Sequence, residues 1–384
     1  MSWIASKLGD ICDIARGGSP RPIDKFLTDD EDGINWIKIG DATRSKKYIY
    51  ETKEKIKKEG ISHSRFVNDG DFLLSNSMSF GRPYIMRTSG CIHDGWLVLS
   101  NYQKKLDINF FYYLLSSPVV VNQFKNLAQG STVKNLNKEL VSRVIVKIPP
   151  LPIQQKIVGR LDAIFAEIDI ASAVAEANAN NAEALFKSYL NEIFKSGNND
   201  WEIKTLNEIS INLDSKRVPV TKDLRKSGDV PYYGASGIVD YVSEYLFDED
   251  ILLVSEDGAN LLDRNYPIAF SVSGKSWVNN HAHVLKFESM TSQKFVEFYL
   301  NSISLKPYVS GMAQPKLNQG MLNKIPIPFP NIKIQKDLVN DFEVMKENRT
   351  ILLNSYIKKN SELASLKQAF LQKAFSGELD KDWA

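Results

Sequence analysis

Two cysteines and four histidines in 384 residues leave little material for a redox or metal centre. Cys12 and Cys91 can build neither a disulfide framework nor a four-cysteine zinc site, and a reducing compartment is the simplest reading. Long apolar runs are also missing: none reaches the ~18 residues that cross a bilayer. The stretch "MSWIASKLGDICDIARGG" lacks the basic-then-apolar pattern of an export signal. A cytoplasmic location with no membrane partner is the expectation. Nor is one sign of charge in excess. Lys+Arg number 48 against 46 Asp+Glu, a net +2, so overall charge alone does not mark a nucleic-acid binder. The imbalance is regional. Residues 1–150 carry 22 basic against 16 acidic side chains and residues 199–330 carry 13 against 16, while 151–198 and 331–384 contribute −2 and +1.

Signatures of catalysis fail one by one. "SGKS" at Ser273–Ser276 resembles the end of a phosphate loop, but Ala269 stands where the first glycine of that cradle belongs. His281 and His283 form an H-x-H without a third ligand nearby, which reads better as alternating strand positions. Glu256-Asp257 and Asp248-Glu249-Asp250 lie beside turn and strand residues, and nothing gives one carboxyl an acid's environment and the other a base's. No activity is expected of the chain alone.

What the sequence does contain is a repeat. "PPLPIQQKIVGRL" (149–161) and "PNIKIQKDLVNDF" (330–342) are 181 residues apart, and the offset persists without a gap. Gly130 matches Gly311, Leu136-Asn137 match Leu317-Asn318, Ile153-Gln154 match Ile334-Gln335, and Phe194 matches Phe375. The repeat then wraps around, since "WEIKTLNEI" from Trp201 echoes "WIASKLGDI" from Trp3. Each repeated stretch has a helical period. Ile157, Leu161, Ile164, Ile168, Ala171, Ala175, Asn178, Ala182, Leu185 and Tyr189 advance by fours and threes, as a coiled-coil seam does. Leu338, Phe342, Met345, Arg349, Leu352, Tyr356, Lys359, Leu363, Leu366 and Phe370 occupy the matching places. Pro149, Pro150, Pro328 and Pro330 mark the starts, and Gly197 and Gly377 the stops. About 40 residues at 1.5 Å each predict rods of roughly 60 Å. Asn178 and Lys359 are polar at equivalent seam positions, either setting the register or reaching water where the rods splay.

Chain length points the same way, because single cores stop growing near ~250 residues. The segments between the rods read as mixed α/β domains. "INWIKIGD" (34–41), "GDFLLSNS" (70–77) and "EDILLVSEDG" (249–258) look like strands, while "INFFYYLLSS" (108–117) and "SQKFVEFYLNS" (292–302) look like helices. Lys53, Lys55, Lys57 and Lys58 among Glu51, Glu54 and Glu59 read as a solvated helix face.

"GGSPRP" (17–22) with "WIKIGD" (36–41), "PYYGASG" (231–237) with "EDGANL" (256–261), and the "IPPLPIQQKIV" junction with its echo occur in a cyclic order. In this the whole chain resembles the specificity subunit of type I restriction-modification systems. The resemblance implies an α+β fold: two target recognition domains separated by two long antiparallel, coiled-coil-like helices in a cyclic pseudo-twofold repeat. The expected boundaries are 1–149 for the first recognition domain, 150–198 for the central helix, 199–329 for the second domain and 330–384 for the C-terminal helix. It further implies double-stranded DNA as ligand, two modification subunits that methylate adenine with S-adenosylmethionine, and restriction subunits that use ATP and Mg. No cofactor is expected on this chain itself. The Asn/Asp-Pro-Pro-aromatic motif of an adenine methyltransferase is absent, since Pro149-Pro150 follow Lys147-Ile148. Two dissimilar heads on a near-twofold frame predict an asymmetric, two-part DNA target with an unread gap.

Candidate DNA contacts follow from side-chain chemistry. Arg suits guanine, Asn suits adenine, and small hydroxyl residues allow close approach. In the first domain these are Arg16, Ser19, Arg21, Arg44, Lys46, Lys47, Asn76, Ser77, Ser79 and Arg82; in the second, Lys216, Arg217, Tyr232, Tyr233, Ser236, Asn260 and Arg264. Lys134, Asn135 and Lys316, just before the rods, are candidates for phosphates. Tyr232 and Tyr233 also fit plain core or turn packing, and any one Arg or Lys fits a solvated surface charge. A second reading of the whole chain is an interaction scaffold of coiled-coil type that binds no DNA, which the acidic balance of 199–330 favours.

Overall fold

The computed structural model describes residues 3–43, 45, 47–76, 81–129, 135–196, 201–311 and 314–376. The chain divides into two compact units, Met1–Val174 with Lys358–Ala384, and Ala175–Ile357. Both repeated stretches are single helices, Leu151–Ser196 and Ile332–Ser376, of 46 and 45 residues. Each passes from one unit to the other, so each unit holds a half of both. The expected glycine stops, Gly197 and Gly377, lie outside the described residues.

The repeated Gln has a physical reason. The helical ladders begin at Pro150 O and Asn331 O, so the carbonyls of Pro149 and Pro330 just before them need another donor. Gln154 is buried there, and its Nε2 donates to Pro149 O (2.9 Å) and Lys105 O (3.0 Å) while its Oε1 accepts from Asp107 N (2.9 Å). Gln335, equally buried, donates to Pro330 O (2.7 Å), but its Oε1 has no partner.

Within each unit the two half-helices run antiparallel. In the first, Ile157 and Leu161 share a core with Leu371, Ala374 and Phe375, Asp169 pairs with Lys367, and Ser172 Oγ donates to Asn360 (2.9 Å). In the second, Arg349 reaches Glu183 (3.4 Å), and Tyr189 and Phe194 meet the ring of Phe342. The expected seam holds through Ala182 and Arg349 and then departs. Phe186 is buried while Leu185 is exposed, and on the other helix Leu353, Asn360 and Lys367 turn inward where Leu352, Lys359 and Leu366 were expected. A straight helix of 3.6 residues per turn drifts off a 3.5-residue stripe, which adds one step of four. Lys359 is therefore exposed, and the polar seam residue is Asn360.

Each half-helix pair carries an α/β head of one plan. An antiparallel two-stranded ribbon joins it to the helices: Ile4–Lys7 with Ile145–Ile148 in the first unit, Glu202–Thr205 with Pro326–Phe329 in the second. An inner sheet follows, ordered Asp13–Arg16, Trp96–Ser100, Phe72–Ser75, Pro83–Met86 and Tyr48–Ile49. Its counterpart is ordered Ser210–Asn212, Ala282–Phe287, Ile251–Ser255 and Ala269–Val272. Behind these sheets lie helices Ile108–Ser116 and Met290–Ser302, N-capped by Asp107 and Ser289. Equivalent rings tie helix to head. Phe110 sits against Trp3 (6.5 Å) and Phe375 (5.2 Å), and Phe295 against Trp201 (6.0 Å) and Phe194 (5.5 Å).

A second sheet completes each head. In the first it is Leu27–Thr28, Glu54–Ile56, Ile34–Ile37, Gly90–Ile92 and Arg65–Val67; in the second, Gly237–Val242, Ser227–Gly234, Lys275–Val278 and Phe247–Asp248. The lysine-rich 53–58 stretch is thus strand Glu54–Ile56 running into a 3-10 turn, not a helix face. Pairing with Leu27–Thr28 and Ile34–Ile37 overrides its helical charge pattern.

Candidate nucleic-acid interface

In the first head the polar loops converge on a residue outside the predicted set, Asp94. Ser19 Oγ donates to its carboxylate (3.0 Å), Arg21 lies 3.6 Å from it, and Arg16 Nε donates to its backbone carbonyl (3.2 Å). Asn76, buried, donates from Nδ2 to the same carbonyl (2.8 Å), and its backbone N donates to Gly95 O (3.0 Å). The Gly-rich entry is needed for this closeness, since a Cβ on Gly17 would stand 2.1 Å from His93 O. Burial alone pushes the Asp94 carboxyl up, but the hydrogen bond from Ser19, the Asp94 backbone amide and nearby His93 and Arg16 hold it below the usual carboxylate range. Burial pushes the neighbouring His93 below the usual imidazole range, and its Nδ1 accepts from Gly95 N (2.7 Å). The turn thus carries an ionised Asp94 that gathers Arg16 and the 82 % exposed Arg21 on one residue.

The other candidates of this head divide. Arg82 is exposed over the ring of Tyr84 (5.3 Å), and Asn135 is exposed. Lys47 is engaged, donating to Asn109 (2.9 Å) and lying over Tyr112 (4.7 Å). Arg44, Lys46, Ser77, Ser79 and Lys134 lie outside the described residues.

In the second head the structure turns several candidates inward. Arg217 donates to Glu256 (2.6 Å) and to Ala282 O (2.8 Å) and stands 3.5 Å from Asp214. His283, buried, bonds Asp214 (2.6 Å) through Nδ1 and Leu317 O (2.8 Å) through Nε2, and Lys316 closes the group at 3.2 Å from Glu256. Burial pushes the carboxyls of Asp214 and Glu256 up, but bonds from His283 to Asp214 and from Arg217 to Glu256 outweigh it and hold both low. Arg217 is thus committed to an internal ion network, which its sequence position did not disclose. Arg264 likewise points inward, donating to Leu300 O (3.3 Å) and to Ile303 O at the end of helix Met290–Ser302. Burial lowers its pKa.

Asn260 staples its own loop through Tyr266 N (2.9 Å) and Tyr266 O (3.0 Å). Tyr232 is core, stacked on Trp277 (6.4 Å) with its hydroxyl on Val220, and Tyr233 packs on Phe270 (5.9 Å). Lys216, Ser236 and Lys316 remain exposed. The rejected motifs also resolve. "SGKS" is the turn by which the chain leaves strand Ala269–Val272 of the inner sheet and enters strand Lys275–Val278 of the second sheet, and His281 faces Asp257 (2.8 Å) while His283 bonds Asp214. Among the described residues no group of three His, Cys, Asp or Glu side chains is placed to hold a metal ion, and no helix is long and apolar enough to cross a membrane.

Comparison with known proteins bears on this geometry. The family described as the type I restriction modification DNA specificity domain matches residues 2–177 and again 198–360. A putative type I restriction enzyme specificity subunit of Haemophilus influenzae is 34% identical over 159 residues, 41% of this chain and 40% of that relative, so this match spans under half of either. The EcoprrI specificity subunit of Escherichia coli is 23% identical over 348 residues, 87% of this chain and 85% of its own. Among solved structures, a chain of a type I R-M system complex superposes with a TM-score of 0.77 at 17% identity over 98% of both chains. The HsdS subunit of Thermoanaerobacter tengcongensis gives 0.56 at 17% identity, over 98% of this chain and 97% of its own. With a family match across both heads and a shared order of the four central strands in each inner sheet, the chain belongs to the specificity subunits of type I restriction-modification systems.

Proposed function

We propose that the chain reads an asymmetric, two-part DNA target, one part with each head, and that the two long helices set the unread gap. As a specificity subunit it is the non-catalytic component of its system. The observation that carries the reading is one order of central strands presented twice with unlike polar loops: an Asp94 turn gathering Arg16, Ser19 and Arg21 in one head, an Asp214–Arg217–Glu256 network in the other. Equal scaffolds with unequal loops suit unequal half-sites. On this reading Arg16, Arg21, Arg82 and Asn135 face DNA from the first head and Lys216, Ser236 and Lys316 from the second, while Arg217, Arg264, Tyr232 and Asn76 shape the loops from inside.

The helices also offer a docking surface in duplicate. Ile170 and Ile351, 181 residues apart, are each 58% exposed, and Leu185 and Leu366 repeat the pattern. Apolar side chains exposed at equivalent places in both copies fit two copies of one partner, the modification subunits, which would bring S-adenosylmethionine. Restriction subunits with ATP and Mg join that assembly, in the cytoplasm. The acidic balance of the second head slightly favours the alternative of a scaffold that binds no DNA, and the family match over both heads opposes it strongly. A gel shift with the chain and its modification partner decides between them: sequence-specific retardation is expected, and absent or sequence-independent binding supports the scaffold.

A further inference from the structure

The inner sheets of the two heads differ at one edge. In the first head Tyr48–Ile49 runs parallel beside Pro83–Met86, with Ile85 N donating to Lys47 O (2.9 Å) and Arg87 N to Ile49 O (2.8 Å). Lys47 over Tyr112 then fills the space next to helix Ile108–Ser116. Among the described residues the second head has no such strand, and Ala269–Val272 ends the sheet. Its outward backbone groups are sealed by side chains of helix Met290–Ser302. Glu297 accepts from Ser271 N (3.0 Å), and Asn301 accepts from Ala269 N (3.2 Å) and donates to Ala269 O (2.7 Å). No further strand can add there.

Beyond this sealed edge the surface falls into a groove of about 1040 Å³ between the sheet edge and the half-helices of the same unit. Its floor is apolar, with Phe186, Leu261 and Ile303, and Tyr266 stands at the lip 64% exposed. Cations outnumber carboxylates in the rest of the lining: Lys187, Lys306, Arg349 and Lys346, the last 3.7 Å from Glu343, stand against Glu183 and Glu297. Arg349 lies over Phe186 (4.8 Å), and its buried Nε has no partner. The carboxylates there are already taken, Glu183 by Arg349 (3.4 Å) and Glu297 by Ser271 and Lys294 (3.2 Å). Positive charge, most of it from the half-helices, is thus gathered beside the one head whose balance is acidic. A duplex offers phosphates to such a rim but no apolar side chain for its floor, whereas an acidic protein segment offers both.

We propose that this groove seats an acidic segment of one modification subunit, anchored by a large apolar side chain, and that the second head alone does so. The identity of the partner rests on the function proposed above; the groove, its charge and the edge strand Tyr48–Ile49 at the matching edge of the first head do not. The test uses the full chain assembled with its modification subunits and carrying Tyr266→p-benzoylphenylalanine. Irradiation is expected to join one modification subunit per chain, through a peptide rich in Asp and Glu. The pair Lys187→Glu and Lys306→Glu, both exposed, is expected to lower the cross-link yield about tenfold, and added salt should lower it in the unaltered assembly. An assembly that forms but cross-links to DNA, to a peptide without acidic residues, or not at all overturns the inference and leaves the proposed function standing. Failure to assemble overturns both.

Discussion

Gln154 and Gln335 occupy the same place in the repeat yet are not equally satisfied. Gln154 makes three hydrogen bonds at its helix entrance, while Gln335 makes one and leaves its Oε1 without a partner. Leaving a buried donor or acceptor unpaired costs about 1–3 kcal/mol. Gln154→Ala is therefore expected to lower unfolding free energy by more than Gln335→Ala, measured by urea titration of the two variants, and equal losses would contradict the hydrogen-bond account.

Asp94 acts differently, because it positions others. Asp94→Ala removes the carboxylate that holds Ser19 and Arg21, leaving Arg16 only its bond to the backbone carbonyl, and DNA affinity is expected to fall about tenfold. Substitutions in the first half-site should then matter less, while those in the second keep their effect. Competition gel shifts with altered half-sites read this directly. Little of this hub was legible in sequence. Arg16, Ser19, Arg21 and Asn76 were, as polar residues near glycine, but a single Asp in "HDGW" looks like any turn residue until two loops close on it. The inward turn of Arg217 and Arg264 was illegible for the converse reason: an arginine's chemistry is the same whether its guanidinium meets a base or, as here, Glu256 and a helix's last carbonyls.

The same network in the second head sets a pH dependence. Asp214 and Glu256 have folded-state pKa values held below their ordinary ones. Their contribution is present in full above the ordinary carboxylate range of about 4 and is lost as pH falls through the lowered values. Thermal unfolding of Asp214→Asn should therefore show a smaller drop on acidification below about pH 4 than the unaltered chain. An unchanged drop would remove these carboxylates from the account.

At the level of elements, the helices were the most legible part of the chain and their inward faces the least. Proline starts and a sustained three-four spacing identify both rods, but a stripe followed for 40 residues accumulates error, and Leu185, Leu352 and Leu366 point outward where an apolar residue was expected to face in. Burial separates the two sets by experiment. Phe375→Ala removes a ring packed on Phe110 and should cost about 3–5 kcal/mol, whereas Leu366→Ala should leave stability nearly unchanged. Leu366→Glu, or Ile351→Glu, should instead weaken assembly with the modification subunit, seen as loss of co-elution in gel filtration. The heads were readable in outline, with "GDFLLSNS" and "EDILLVSEDG" forming central strands Phe72–Ser75 and Ile251–Ser255. Pairing order and the 53–58 strand were not, because long-range partners decide them.

For the whole molecule the governing feature is duplication with divergence. Ribbon, central strands, helix and ring cluster recur in both units, while the loops, an edge strand on each sheet of the first head, its helix Pro118–Gln129 and the groove of the second unit differ. If the helices act as the spacer, two added turns near Ala175, inserted in phase with equivalent turns in the second helix, should lengthen the gap and leave both half-sites intact. The central claim is that each head reads its own part of the target. Methylome sequencing of cells carrying the complete system, before and after residues 202–329 are exchanged for those of another specificity subunit, measures it most directly. An asymmetric two-part motif in which the exchange alters one part and preserves the other part and the gap is the expected result. A single continuous motif, or a change in both parts at once, would contradict it.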